Sequence, residues 1–174
     1  DSPFDDDPVG VTVYMDILNR AKKYVHIMTP YLIIDQSMIT ALTFAAKRGV
    51  DVKLILPHIP DKKFAFALAK SHYKELLKAG VRIYEYTPGF VHAKIFTSDD
   101  EKAVVGTINL DYRSLYLHFE CAAFLYQVEE IAKIEKDFQR TLEKCQEVTL
   151  ENRKKGTFFL RLEGWLLKWL APLM

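Results

Sequence analysis

A near-continuous aliphatic run over residues 50–56, closed by Pro57, most constrains how this chain folds. Such a run predicts a strand buried on both faces, which occurs mainly in sheets that helices cover on each side. The run lies between two segments of helical periodicity, 35–48 and 61–79, and each of these is followed by a glycine. The sequence therefore predicts parallel strands joined by helices in this part of the chain.

The second half of the chain changes this pattern from alternation to clustered strands. Earlier strands are predicted at 24–28 and 81–86, and a first helix contains Val11, Tyr14 and Leu18. Later strands are predicted at 91–97, 102–108 and 121–126, before an amphipathic helix over 128–147. We predict an α/β fold in which a mixed sheet, with parallel and antiparallel strands, is flanked by helices on both faces.

Length and composition limit the domain organisation and the partners. With 174 residues, the chain suits one well-buried domain, which we assign to residues 1–150. The 24 Lys and Arg residues nearly balance the 23 Asp and Glu residues, which disfavours a nucleic-acid partner. The two cysteines have no metal-ligand spacing, and we expect neither a metal nor a cofactor. We expect the chain, which begins with Asp1, to be a piece of a longer protein.

Residues 151–174 form a separate basic and amphipathic tail in this interpretation. Arg153, Lys154 and Lys155 precede a segment in which Trp165 and Trp169 share an apolar face if the segment is helical. Such a helix lies in the plane of an anionic membrane surface. The alternative is a helix that packs on the domain or on a partner domain.

One imidazole, one ammonium and one carboxamide occur within eighteen residues, at His92, Lys94 and Asn109. Residues two apart in a strand point to the same face, so His92 and Lys94 can reach the same phosphate. Asn109, at the end of the next predicted strand, adds an uncharged donor. These groups suit attack on a phosphodiester without a metal.

The imidazole of His92 can act as the nucleophile or as the acid that protonates the leaving oxygen, and the residues leave both roles open. Because one imidazole cannot do both at once, the set is half of an active site. Each residue also has a structural interpretation on its own. Asp99 lies in a predicted turn, Asn109 suits a turn or a helix cap, and Glu120 can be an ordinary carboxylate at a strand edge.

The full spacing resembles the motif of the phospholipase D superfamily. His92-Ala93-Lys94 is followed after four residues by Asp99, and after six more by Gly106-Thr107-Ile108-Asn109, with Thr107 where serine is usual. A wider similarity to the C-terminal half of bacterial cardiolipin synthases includes Thr29-Pro30-Tyr31 and the segments 48–52, 79–86 and 109–114.

This resemblance implies roles for individual residues in a phospholipase D-like half-domain. His92 is one of two paired histidines, Lys94, Thr107 and Asn109 bind the substrate phosphate, and Asp99 belongs to the catalytic motif. Glu120 orients the histidine, as an acid orients a triad imidazole. The second histidine comes from the N-terminal half of the same enzyme or from a second copy of the chain.

The activity implied is a phosphatidyl transfer at the bacterial cell membrane, on its cytoplasmic side. Two phosphatidylglycerol molecules give cardiolipin and glycerol through a phosphohistidine intermediate. The alternative enzyme is a phospholipase D-type phosphodiesterase or nuclease that completes its site by homodimerisation. A third alternative is a peripheral lipid-binding domain without turnover.

Overall fold

A seven-stranded mixed sheet forms the centre of the computed structural model, which describes residues 1–151. The elements in chain order are α1 (Val9–Arg20), β1 (Tyr24–Met28), β2 (Leu32–Ile33), α2 (Gln36–Lys47), β3 (Asp51–Pro57), α3 (Lys63–Lys78), β4 (Arg82–Tyr86), β5 (Ile95–Ser98), β6 (Lys102–Gly106), β7 (Leu110–Asp111), a π-helical turn (Arg113–Leu117), β8 (Ala122–Tyr126), α4 (Glu130–Leu142) and β9 (Cys145–Val148). The strand order in the sheet is β8-β6-β5-β1-β3-β4-β9.

Parallel and antiparallel strands occupy different parts of this sheet. β1, β3 and β4 are parallel neighbours, with β3 between the other two. β5 and β6 follow on the other side of β1, and β8 is the outer strand there, each pair antiparallel. β9 closes the opposite edge, antiparallel to β4. The predicted mixed sheet is confirmed, and the aliphatic run forms an interior strand.

Helices cover both faces of the sheet, as predicted. Leu18 of α1, Leu42 of α2 and Leu76 of α3 pack in the main core with alternate strand residues such as Val25 and Leu54. On the other face, Phe138 of α4 packs in a second cluster with Met28, Ile55, Tyr84 and Val91. Alternation along the strands assigns each side chain to one of these two layers.

The predicted helix over 128–147 is wrong at its end. α4 stops at Leu142, and Cys145–Val148 form the edge strand β9 beside β4. The apolar stripe of the helix ends with Phe138 and Leu142, while the edge of β4 offers unpaired backbone groups that a further strand satisfies. No glycine or proline marks this change in the sequence.

The predicted strand over 91–97 is also shorter, because β5 begins at Ile95. Its partner β1 ends at Met28, which pairs with Ile95, and the chain then turns away at Thr29. His92 and Lys94 therefore lie in a segment that extends past the sheet. A second small sheet, β2 beside β7, was not indicated by the sequence.

The predicted C-terminal tail, residues 151–174, lies outside the described residues from position 152 onward. Within residues 1–151, none of the helices has the length and apolar character needed to span a bilayer.

Gly106, the last residue of β6, permits a close approach to β8. A Cβ atom at this position would lie 2.4 Å from both the Cα of Ala122 and the carbonyl oxygen of Cys121. We expect Gly106→Ala to force the two strands apart and to lower the free energy of unfolding by roughly 1–3 kcal/mol, as overpacking does. Urea denaturation measures this change. Gly89→Ala is the matched control, because a Cβ atom there meets nothing within 4 Å; equal losses in both variants would contradict the prediction.

Candidate active site

The sequence motif converges on one edge of the sheet. β5 runs antiparallel to β1, so the segment before Ile95 emerges where β1 ends at Met28. β6 runs antiparallel to β5 and ends at Gly106, so Thr107 and the residues after it reach the same edge. Residues that are distant in the sequence therefore meet where β1 and β6 end and β5 begins. We call this end of the strands the catalytic edge.

His92 and Lys94 lie on the same side of their segment. Between and beside them, Val91, Ala93 and Ile95 pack in the second cluster under α4. His92 is exposed, and its ring centroid lies 5.8 Å from that of Phe90. The alternation predicted from the sequence therefore persists in this segment, although it lies outside the regular strand.

Lys94 is partly buried, and two carboxylates lie near enough to act on its charge. Its Nζ donates a hydrogen bond to the carbonyl oxygen of His92 at 2.6 Å. Burial lowers the pKa of Lys94 below its usual value, while the nearby carboxylates of Glu120 and Asp111 act in the opposite direction. Lys94 thus supplies a cation that is held close to carboxylates rather than free in solvent.

Glu120 is the acceptor for two other groups at this edge. Its side chain is 5% exposed, and its Oε1 lies 3.0 Å from Nδ1 of His118. The hydroxyl of Thr107 donates to its Oε2, and the same hydroxyl oxygen accepts from the backbone N–H of Cys121 at 2.9 Å. Glu120 therefore anchors Thr107 and His118. Its predicted action on His92 has no hydrogen bond here and stays a prediction.

Asn109 has an amide oxygen without a partner. Its Nδ2 donates to Ser114 Oγ at 2.9 Å, whereas its buried Oδ1 has no hydrogen bond. The same amide also donates toward the carboxylate of Asp111, so its N–H groups face Ser114 and Asp111. The role of Asn109 as an uncharged donor to a phosphate stays a prediction.

The loop that carries Asn109 is held by buried hydrogen bonds. The backbone N–H of Leu110 donates to Thr29 Oγ1 at 3.1 Å, and the N–H of Ser114 donates to Asp111 Oδ1 at 2.7 Å. Burial raises the pKa of Asp111, against the opposing effect of the hydrogen bonds from Ser114 and Asn109. These contacts fix the position of Asn109.

Asp99 lies at the other end of β5, away from His92 and Lys94. With the four residues of β5 between them, Asp99 lies five residue steps from Lys94, roughly 16 Å at about 3.3 Å per residue. Its carboxylate accepts three backbone hydrogen bonds at 2.7–2.9 Å, from Lys22, Lys23 and Tyr24. The structure therefore does not bring this motif residue together with the others.

His118 and Ser114 were missed as site residues. His118 stands two residues before Glu120, and this spacing puts both on one side of an extended segment, a signal that was available. Ser114 offered no comparable signal, because its contact with Asn109 depends on the π-helical turn. In residues 1–151, no three His, Cys, Asp or Glu side chains are grouped so as to hold a metal ion.

The fold and this site define the class of the protein, a phospholipase D-like domain. Residues 14–142 match the family model described as "Cardiolipin synthase, PLD-like domain". The chain belongs to this family, which confirms the resemblance drawn from its motif.

Relatives support the same assignment over nearly the whole chain. An uncharacterized protein of Streptococcus mutans serotype c is 59% identical over 174 residues, which are 100% of this chain and 38% of that protein. The cardiolipin synthase of Clostridium perfringens strain SM101 is 42% identical over 161 residues, 92% of this chain and 34% of the enzyme. The chain therefore spans about a third of the length of the curated relatives that it matches.

Solved structures share the fold at low sequence identity. Phosphatidylserine synthase of Haemophilus influenzae Rd KW20 has a TM-score of 0.76 at 15% identity, covering 94% of this chain and 44% of that one. The phospholipase D family member Nuc of Salmonella typhimurium has a TM-score of 0.69 at 17% identity, covering 79% of this chain and 90% of that one.

The environment of Asp99 gives a prediction about stability and pH. Burial alone would raise its pKa, but the three backbone N–H donors and the charge of Lys23 hold the pKa below its usual value. A carboxylate with a depressed pKa stabilises the fold above its unfolded pKa of about 3.9, and this contribution is lost as the pH falls through the lower folded value. Asp99→Asn should therefore cost about 1 kcal/mol at pH 7, and less at lower pH.

Urea denaturation between pH 7 and about pH 3 measures this difference from the unsubstituted protein. Asp100→Asn is the control, because Asp100 has a similar positive φ but accepts only from the hydroxyl of Tyr24. A cost for Asp99→Asn that stays constant as the pH falls would show that the charge is irrelevant.

Proposed function

We propose that the chain is the C-terminal catalytic half-domain of a cardiolipin synthase-type phosphatidyltransferase. It transfers a phosphatidyl group from one phosphatidylglycerol molecule to a hydroxyl of another, giving cardiolipin and glycerol, at the bacterial cell membrane on its cytoplasmic side. The observation that carries the proposal is the strand topology, which directs His92, Lys94 and Asn109 to one edge, with Glu120 close enough to act on the charge of Lys94.

The proposed reaction has two displacements at phosphorus. A histidine nitrogen forms a bond to phosphorus, the bond from phosphorus to the glycerol oxygen breaks, and an acid protonates that oxygen. A hydroxyl of the second phosphatidylglycerol then attacks the phosphohistidine, loses its proton to the same acid–base group, and releases the histidine. His92 fills one of these two roles, and which one it fills stays open.

Lys94 and Asn109 stabilise the negative charge on the phosphoryl oxygens in this scheme. Positioned donors of this kind act most strongly where water is excluded, and both residues are partly buried. Thr107, held by Glu120 and Cys121, adds a hydroxyl whose position is fixed. Asp99, at the far end of β5, acts through the position of the strand.

A second histidine completes the site in this proposal. It is supplied by the N-terminal half of the same enzyme, since the chain covers 34% of the Clostridium perfringens cardiolipin synthase. The alternative function is a phospholipase D-type phosphodiesterase that pairs two copies of the chain. The observation that favours this alternative is the 90% coverage of the Nuc chain, which has a similar extent.

Turnover of labelled phosphatidylglycerol in mixed micelles tests the proposal, with the mass of the active species measured in parallel. We expect the active species to form cardiolipin and glycerol, and a strict monomer of this chain to be inactive. In His92→Ala, we expect the covalent phosphoryl-enzyme or turnover to be lost. Lys94→Ala should lower turnover by about 10²–10³-fold, as removal of a charge-stabilising donor does.

Lys102→Ala is the matched control, because Lys102 lies at the far end of β6, with its Nζ 3.7 Å from Asp16 Oδ2. This variant should keep its activity. If a homodimer produces phosphatidic acid and no cardiolipin, the protein is a phosphodiesterase and the transferase proposal is wrong. If the folded protein, paired with its N-terminal half, binds vesicles but forms no product, the chain is a lipid-binding domain without turnover.

A further inference from the structure

Two large apolar side chains project into solvent where β3 leads into α3. Ile59 is 56% exposed and Phe64 is 60% exposed. Two basic residues, Lys62 and Lys63, stand between them. We call residues 59–64 the apolar–basic segment.

The segment lies at the catalytic edge. β3 is parallel to β1, so it ends at Pro57 on the side of the sheet where β1 ends and the segment before β5 begins. The residues that follow Pro57 therefore emerge beside His92 and Lys94, although they are about thirty positions away in the sequence.

A groove with mostly apolar lining lies beside the segment and reaches Phe90, two residues before the candidate histidine. Its lining includes Pro30, Tyr31, Pro60, Phe66 and Phe90. The Phe90 ring is near two other rings: its centroid lies 6.3 Å from that of Tyr31 and 5.8 Å from that of His92. The rings of Tyr31, Phe90 and His92 thus link the groove beside the segment to the site of the proposed chemistry, while Ile59 and Phe64 project outside the groove lining.

The charges of the segment suit an anionic surface. Lys62 and Lys63 are both exposed, and the first turn of α3 adds the positive end of the helix dipole. The one acidic side chain, Asp61, is engaged by the hydroxyl of Tyr31, which donates to Oδ2 at 2.5 Å. Exposed aromatic and aliphatic side chains flanked by lysines are typical of segments that enter the headgroup region of a bilayer.

The exposed apolar residues of β8 have a different setting. Phe124 and Tyr126 belong to the open edge strand β8, which presents unpaired backbone groups as well as side chains and suits a protein partner. The apolar–basic segment has no such strand edge. Its two projecting side chains suit a soft surface that they can penetrate.

We infer that the apolar–basic segment is a membrane-docking element, which inserts Ile59 and Phe64 into an anionic lipid bilayer and holds the catalytic edge against it. The inference takes the anionic lipid from the proposed function. Its test reports contact rather than turnover, so the two can fail separately.

The test places an environment-sensitive fluorophore at one position at a time. Cys121 and Cys145 are replaced by serine, and Phe64→Cys is then labelled with a nitrobenzoxadiazole group. Phe44→Cys is the matched control, because Phe44 is 53% exposed near the C-terminal end of α2, away from the catalytic edge. Vesicles contain equal parts phosphatidylglycerol and phosphatidylcholine, and co-sedimentation measures how much protein is bound.

With bound protein, we expect the label at position 64 to brighten at least about twofold and to shift to the blue, and the label at position 44 to stay unchanged. An unchanged label at position 64 on bound protein means that another surface makes the contact, and overturns the inference. Failure to bind these vesicles overturns it as well. A shift at position 64 that follows protein concentration without vesicles identifies a protein contact instead. Loss of turnover in His92→Ala beside an unresponsive label leaves the proposed function standing without this docking element.

Discussion

The pairing of β1 with both β3 and β5 determines the arrangement of the whole site. Met28 at the end of β1 is level with Ile55 of parallel β3 and with Ile95 of antiparallel β5. Because one neighbour is parallel and the other antiparallel, the end of β3 and the beginning of β5 meet at one edge. For this reason, the candidate catalytic residues before β5 and the apolar–basic segment after β3 are neighbours.

The same pairing explains the spacing of the motif. The four residues between Lys94 and Asp99 are the four residues of β5. One end of the strand carries His92 and Lys94, and the other carries a carboxylate that three backbone N–H groups of the α1–β1 connection hold in place. Asp99, although it belongs to the motif, therefore anchors the backbone before β1. The length of β5 separates it from His92 and Lys94.

Local pattern was sufficient for most of the fold. Aliphatic runs, helical stripes and glycine stops predicted the principal strands and helices, and alternation predicted the common side of His92 and Lys94. The features that escaped depend on distant partners. β9 forms because β4 has an open edge, and Glu120 acquires Thr107 because β6 and β8 pair at Gly106. Neither partner is visible within one segment of sequence.

The charges around Lys94 give one reason why the proposed function needs a second half of the active site. Lys94 is the ammonium of the motif, and Glu120 and Asp111 both act on it as nearby carboxylates. A phosphodiester anion that approaches Lys94 therefore also meets the two carboxylates that act on it, in a partly buried position where uncompensated charge is costly. A partner half that brings a second lysine and histidine would restore the excess of positive charge. The proposed function therefore implies that binding of the anionic lipid and pairing of the two halves favour each other.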